Sequence, residues 1–169
     1  VLQKIDGIFA FAIYNHSDKS LFIARDHAGI KPFYFSKTKD YISFSSEVKP
    51  LLPLIENNSV DQASMVKFLT HGSVQEPDTI YEAVKCLPAG SYGFYKDCKL
   101  QIHNYYSYSY TPKTGSNNNE IYKQTNLLLH NSVKSQLISD APIGIFLSGG
   151  LDSSILTAIA SKYIENLTT

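Results

Sequence analysis

The residues most able to do chemistry lie together near the end of the chain: Ser148-Gly149-Gly150-Leu151-Asp152-Ser153-Ser154. Adjacent glycines let backbone N–H groups come close to an anion, and the hydroxyls of Ser148, Ser153 and Ser154 add further donors. An apolar run precedes the loop (Ile143, Ile145, Phe146, Leu147), and apolar residues at helical spacing follow it. A strand, a small-residue loop and a helix start make a phosphate-binding layout, because the helix N-terminus contributes partial positive charge. Asp152 is an odd neighbour for phosphate unless a cation lies between them. Mg²⁺ bridging carboxylate and phosphate reconciles the two.

Three phosphate motifs compete for this loop. The dinucleotide fingerprint G-x-G-x-x-G is absent, and so is the lysine after the second glycine of the NTPase loop. Residues 148–153 match the pyrophosphatase loop S-G-G-x-D-S in full, and Ser154 extends the match. Enzymes that this loop resembles activate a carboxyl or carbonyl oxygen as an adenylate, cleaving ATP between its α- and β-phosphates. The plain structural alternative is a Gly-Gly turn capped by Ser or Asp with no ligand. Six matched positions in strand–loop–helix order favour binding over that turn.

The elements that must position the loop follow from pattern. After it, Ile155, Ala158, Ile159 and Tyr163 recur at i, i+3, i+4 and i+8, an amphipathic helix packed on a sheet. Before it, Tyr122, Leu129, Val133 and Leu137 share one helical face, Asn117 to Asn119 can cap that helix, and Asp140-Ala141-Pro142 ends it. Residues 111–119 are polar and turn-rich and read as a linker. Upstream, strands dominate. Residues 8–14 and 21–24 form a hairpin about a polar turn, and residues 33–35 and 41–45 form another, turning at 37–40. A short helix over 61–69 follows Asn58 and Ser59 and stops at His71-Gly72. Residues 91–95 and 100–102 form a late hairpin about Asp97-Cys98. Near-continuous apolar strands predict a sheet covered on one or both faces.

Composition bounds the rest. The chain has 169 residues, 43% of them apolar, and a formal net charge of zero, so no basic field recruits nucleic acid. Cys86 and Cys98 make neither a zinc site nor a disulfide framework, and a reducing cytoplasm is the simpler setting. No long apolar run predicts a membrane span. The chain opens at Val1 on a pattern already in progress and stops one helix after the glycine loop. It is therefore expected to be an internal piece of a longer protein.

A wider resemblance rests on five segments. They are Asp6-Gly7-Ile8-Phe9-Ala10-Phe11-Ala12-Ile13-Tyr14, Ala24-Arg25-Asp26-His27-Ala28-Gly29-Ile30-Lys31-Pro32-Phe33-Tyr34, Phe44-Ser45-Ser46-Glu47-Val48-Lys49, Leu87-Pro88-Ala89-Gly90 and Tyr105-Tyr106. In this order, and followed by residues 148–154, they resemble the glutamine-hydrolysing asparagine synthetase family. The resemblance implies an α+β part followed by an α/β part. Residues 1–108 would be the C-terminal part of an N-terminal-nucleophile glutaminase domain of stacked antiparallel sheets. Residues 109–119 would be a linker, and 120–169 the start of an adenine-nucleotide α-hydrolase-like synthetase domain. It implies L-glutamine, L-aspartate and ATP as substrates, with Mg²⁺, and amidation through β-aspartyl-AMP. Leu147, Ser148, Gly149, Gly150, Asp152, Ser153 and Ser154 would bind ATP and pyrophosphate, with Asp152 on the metal. No nucleic acid or membrane partner is expected, and a homodimer is left open.

The family's nucleophile is an N-terminal cysteine, which neither Cys86 nor Cys98 can replace. The resemblance also implies that the rest of the adenylate pocket and the aspartate site lie after residue 169, so the 169 residues alone are expected to catalyse neither half-reaction. Arg25-Asp26-His27 is read as an Arg25–Asp26 pair ordering the loop before Gly29 rather than as a catalytic cluster. Glu47 is read as an exposed helix-start carboxylate. His16, His71, His103 and His130 are read as surface or turn residues, and the tyrosines within 105–110 as an exposed or interface patch. Related two-domain ligases, such as β-lactam synthetases and amidotransferases of surface-sugar or peptide pathways, share this plan. A nucleotide-binding module without turnover is the alternative from another class.

Overall fold

The computed structural model of the chain describes residues 1–111, 115 and 117–169. Two compact units divide the chain, Val1–Ser109 and Tyr110–Thr169.

The first unit contains seven strands: β1 (Ala10–Asn15), β2 (Ser20–Arg25), β3 (Tyr34–Lys37), β4 (Ile42–Ser45), β5 (Lys85–Cys86), β6 (Ser91–Lys96) and β7 (Lys99–Asn104). Every strand pairing is antiparallel. One sheet runs β1-β2-β6-β7 and the other β4-β3-β5. The late hairpin closes where Lys96 pairs with Lys99 and both intervening residues, Asp97 and Cys98, take positive φ. That left-handed pair matches the right-handed twist of the flanking strands.

Side-chain alternation decides how the sheets meet. Leu21 and Ile23 of β2 and Phe33 and Phe35 at β3 point into one core, completed by Leu87 and flanked by Ala10, Ala12 and Leu100. The two sheets are therefore stacked face to face, as the resemblance implied. Ile23 is fully buried, worth about 1.5–3 kcal/mol relative to exposure. Gly93 on β6 is required by this packing, since a Cβ there would lie 2.8 Å from Ile23 Cγ1. The opposite face of the four-stranded sheet carries a ladder of rings, Phe11, Phe22, Tyr92 and His103, with centroids 5.3 to 6.2 Å apart. Among the described residues the core covers one face of this sheet, and Ile13 and Phe94 on the other remain exposed.

Helix α1 (Gln62–His71) lies between β4 and β5. Its cap is Asp61, which accepts the Ala63 N–H at 3.0 Å and the Ser64 hydroxyl at 2.8 Å, rather than Asn58 or Ser59. Gly72 ends the helix at φ +75, the left-handed geometry that glycine adopts without steric cost.

In the second unit, α2 (Asn118–Gln136) starts from Asn117, whose side chain accepts the Asn119 N–H. The helix thus begins two residues inside the expected 109–119 linker; of that linker, residues 112–114 and 116 lie outside the described residues. Val133 of α2 packs with Ile159 and Ala160 of α3 (Leu151–Ala160), and Leu129, Leu137, Ile145 and Ile155 flank them. Two face assignments are corrected. Tyr122 is 74% exposed, and the buried stripe of α2 begins at Leu129. Ala158 is also exposed; Ala160, in the last turn of α3, is buried instead, and Tyr163 lies beyond the helix.

The strand expected over 143–147 is also corrected. A strand exists through pairing, and here a single parallel bridge forms between Gly144 and Thr168, with Ile145 N–H donating to Thr168 O at 2.9 Å. Among the described residues Phe146 and Leu147 find no such partner, and both are exposed. The parallel sense of the bridge, with α3 between its two sides, is that of a βαβ connection. Among the described residues, no helix is long and apolar enough to cross a membrane.

Candidate functional site

The loop of residues 148–154 turns on one backbone conformation. Gly149 sits at φ +80, and Gly150 returns to extended geometry as the N-cap of α3. A Cβ at Gly149 would meet nothing within 4 Å, so the backbone angle, not crowding, demands glycine there. Ser148 and Ser153 are brought together, their hydroxyls 3.0 Å apart, and Ser148 Oγ accepts the Gly150 N–H at 3.4 Å. Gly150 O accepts both the Ser153 hydroxyl and the Ser154 N–H. Among the described residues no side chain caps the first turn of α3, which leaves its N–H groups and partial positive charge for another acceptor.

Asp152 and Ser154 are exposed in that first turn, and Leu147 is 47% exposed just before the loop. An uncapped helix start beside a left-handed glycine and paired hydroxyls can chemically accept a multiply charged anion. No cluster of three or more His, Cys, Asp or Glu able to hold a metal occurs among the described residues. A lone carboxylate fits Mg²⁺ when most of the ion's ligands come from substrate phosphates and water.

In the first unit, three segments that carry the resemblance converge on adjacent charged side chains, Arg25 (5% exposed) and Asp26 (2%). The expected Arg25–Asp26 pair does not form. The Asp26 carboxylate accepts the backbone N–H groups of Ala28, Ile30 and Lys31 at 3.0 to 3.2 Å. Burial pushes this carboxyl up, but backbone groups of Lys31, Ile30, Ala28 and Phe9 together outweigh it and hold the group below the usual aspartate range. Arg25 turns the other way, donating to the carbonyls of Lys31, Leu87 and Gly29 and to Glu76 Oε1 at 2.6 Å. Neighbours along an extended strand point to opposite sides, which separates the two side chains.

Residues 87–90 dock on the same hub. Gly90 N–H donates to Asp26 O at 2.8 Å, and Gly90 O accepts the Tyr105 N–H. Gly90 is at φ +62, and a Cβ there would fall 2.8 Å from Tyr106 O. The Tyr105 hydroxyl donates to Arg25 O, and the His27 ring lies against both Tyr105 and Tyr106. Cys86 is buried beside Arg25; burial pushes its thiol up, away from the reactive thiolate. Cys98 is exposed, and neither cysteine is in a disulfide. Glu47 is exposed in a bend before a 3₁₀ turn rather than at an α-helix start.

Residues 1–106 match the sequence model of the glutamine amidotransferase domain family. The chain belongs to this family. Residues 124–169 match a second model, that of asparagine synthase, so the amidotransferase domain is followed by residues of a different family. Two asparagine synthetases (glutamine-hydrolysing) of Bacillus subtilis strain 168 are similar to the chain. Number 1 is 32% identical over 99% of the chain and 26% of that protein, and number 3 is 37% identical over 97% and 27%. Asparagine synthetase B (glutamine-hydrolysing) of Escherichia coli K12 is 32% identical over 96% of the chain and 24% of its own length. The chain thus spans about a quarter of the length of these curated relatives. The resemblance read from the motifs holds at the level of sequence across nearly the whole chain.

Sequence reasoning missed Glu76. It belongs to none of the segments that carry the resemblance and stands 51 positions from Arg25, so no local spacing marks it. A buried arginine needing a counter-charge was the available signal, once Asp26 is seen to be occupied by backbone amides.

Proposed function

We propose that the chain is part of a glutamine-dependent asparagine synthase, spanning the later part of its amidotransferase domain and the first part of its synthase domain. The observation that carries the reading is the left-handed Gly149 turn into the uncapped start of α3, within residues that match the asparagine synthase family. On this reading the amidotransferase domain is of the N-terminal-nucleophile class, and the loop is a pyrophosphatase loop.

The reaction divides in two. In the synthase domain an oxygen of the L-aspartate side-chain carboxylate attacks the α-phosphorus of ATP, forming β-aspartyl-AMP and releasing pyrophosphate. Backbone N–H groups of the Gly149 turn and of the first turn of α3, with the hydroxyls of Ser148, Ser153 and Ser154, would take the charge that develops on pyrophosphate. Leu147 lies against the nucleotide, and Asp152 would hold Mg²⁺, which supplies neutralisation of phosphate charge. Ammonia released from glutamine then attacks the acyl carbon, and AMP leaves as asparagine forms. The 169 residues by themselves do not hydrolyse glutamine on this reading, since the glutaminase nucleophile is neither Cys86 nor Cys98.

The test is exchange of labelled pyrophosphate into ATP, using protein that carries both domains in full. The reading expects exchange that depends on L-aspartate. Exchange that requires a different carboxylic acid would transfer the chain to another acid–amine ligase. No exchange with any acid would remove adenylation altogether.

A further inference from the structure

We propose that Glu76 is a positioning residue for glutamine turnover, setting residues 26–32 against the 87–90 turn through Arg25; the inference rests on the amidotransferase reading above. Two neighbouring side chains bind the backbone of the 26–32 loop at five points. Asp26 accepts the N–H groups of Ala28, Ile30 and Lys31, and Arg25 takes the carbonyls of Gly29 and Lys31. With its backbone held from beneath, the loop presents exposed side chains at Ala28, Ile30 and Lys31. A tightly supported backbone under a solvent-facing rim is how a scaffold presents functional groups.

Half of that support depends on Glu76. The Asp26 carboxylate is directed at amides, so the carboxylate bonded to the buried Arg25 guanidinium is that of Glu76, at 2.6 Å. The second oxygen of Glu76 accepts the Ala89 N–H at 3.1 Å, and Arg25 itself reaches Leu87 O at 2.6 Å. One carboxylate therefore joins the cation that holds the loop to the turn beside it. Without it, a buried cation keeps no counter-charge and the Ala89 N–H loses its acceptor. The loop and the turn then lose one of the links between them, while the Gly90–Asp26 and Arg25–Leu87 bonds remain, and small displacements of supporting groups are costly in turnover.

The experiment uses protein carrying both domains in full, as wild type, E76A and E76Q. Glutamate release from glutamine is compared with pyrophosphate release supported by added ammonia, and hydrogen exchange is followed over residues 26–32. E76A is expected to lower kcat/KM for glutamine by at least about tenfold, while the ammonia-supported rate stays within about twofold. Exchange in the loop rises, and E76Q, which keeps one acceptor oxygen, falls between the two. Wild-type glutamine kinetics in E76A would overturn the inference, as would an equal fall in both rates, which is the mark of a merely structural role. Should E76A not accumulate as folded protein, E76Q supplies the same comparison. A wild type that releases no glutamate would sink the amidotransferase reading itself; normal wild-type release with unaffected variants would sink this inference alone.

Discussion

Replacing Asp26 tests how the first unit is held together. Asp26→Ala deletes three acceptor contacts, to Ala28, Ile30 and Lys31. Hydrogen bonds to a charged acceptor contribute about 1.5–3 kcal/mol when the groups are buried. Here the released amides belong to loop residues that reach water, which lowers the figure to about 1 kcal/mol each, or about 3 kcal/mol in all. Asp26→Asn keeps the Oδ1 acceptor but can set its NH₂ against the Lys31 N–H, so its cost is about 2 kcal/mol. Urea unfolding followed by circular dichroism reads this directly. With a slope of about 2 kcal/mol per molar, the alanine variant's midpoint falls by about 1.5 M.

The pH dependence supplies a second arm. The folded state holds the Asp26 pKa below its ordinary value, so the contribution is complete above the unfolded value of about 3.9. It is lost as pH falls below that value and through the folded one. The gap between wild type and Asp26→Asn should therefore be widest near neutrality and narrow in acid. A midpoint shift under about 0.3 M, or a gap indifferent to acid, would refute the claim that this carboxylate orders the loop.

Three further outcomes follow from the same structure. Gly93→Ala should destabilise the first unit by about 1–3 kcal/mol in the same assay, because the new Cβ meets Ile23 and Leu100 at 2.8 to 3.1 Å. Gly149→Ala strains only the turn, by about 1–2 kcal/mol, and should weaken ATP binding, read by calorimetry, while leaving the first unit's unfolding unchanged. Asp152→Asn should reduce pyrophosphate release by at least about tenfold with an unchanged circular dichroism spectrum; unchanged release would remove Asp152 from metal binding.

Much of the architecture was legible because it is written in local pattern. The strand runs, the Asp97-Cys98 turn and the Gly72 stop each depend on residues within a few positions of one another. The turn at Gly149 and the helix that follows it were legible for the same reason. What the sequence concealed depends on distant partners. Arg25 and Asp26 are adjacent in the chain but bond in different directions, and the counter-charge on Arg25 comes from a residue no motif contains. Apolar spacing placed Tyr122 on the buried face of α2, but nothing among the described residues covers that end of the helix. Residues 143–147 have the composition of a strand, yet a strand requires a pairing partner, and among the described residues Thr168 alone provides one.

The central claim is that nucleotide chemistry at residues 148–154 serves glutamine-dependent amide formation. The most direct measurement supplies ATP, L-aspartate and glutamine labelled in its amide nitrogen to protein carrying both domains in full, and follows every product. Labelled asparagine is expected, with AMP and pyrophosphate formed in equal amounts. ADP and inorganic phosphate in their place, or label that never reaches asparagine, would contradict it.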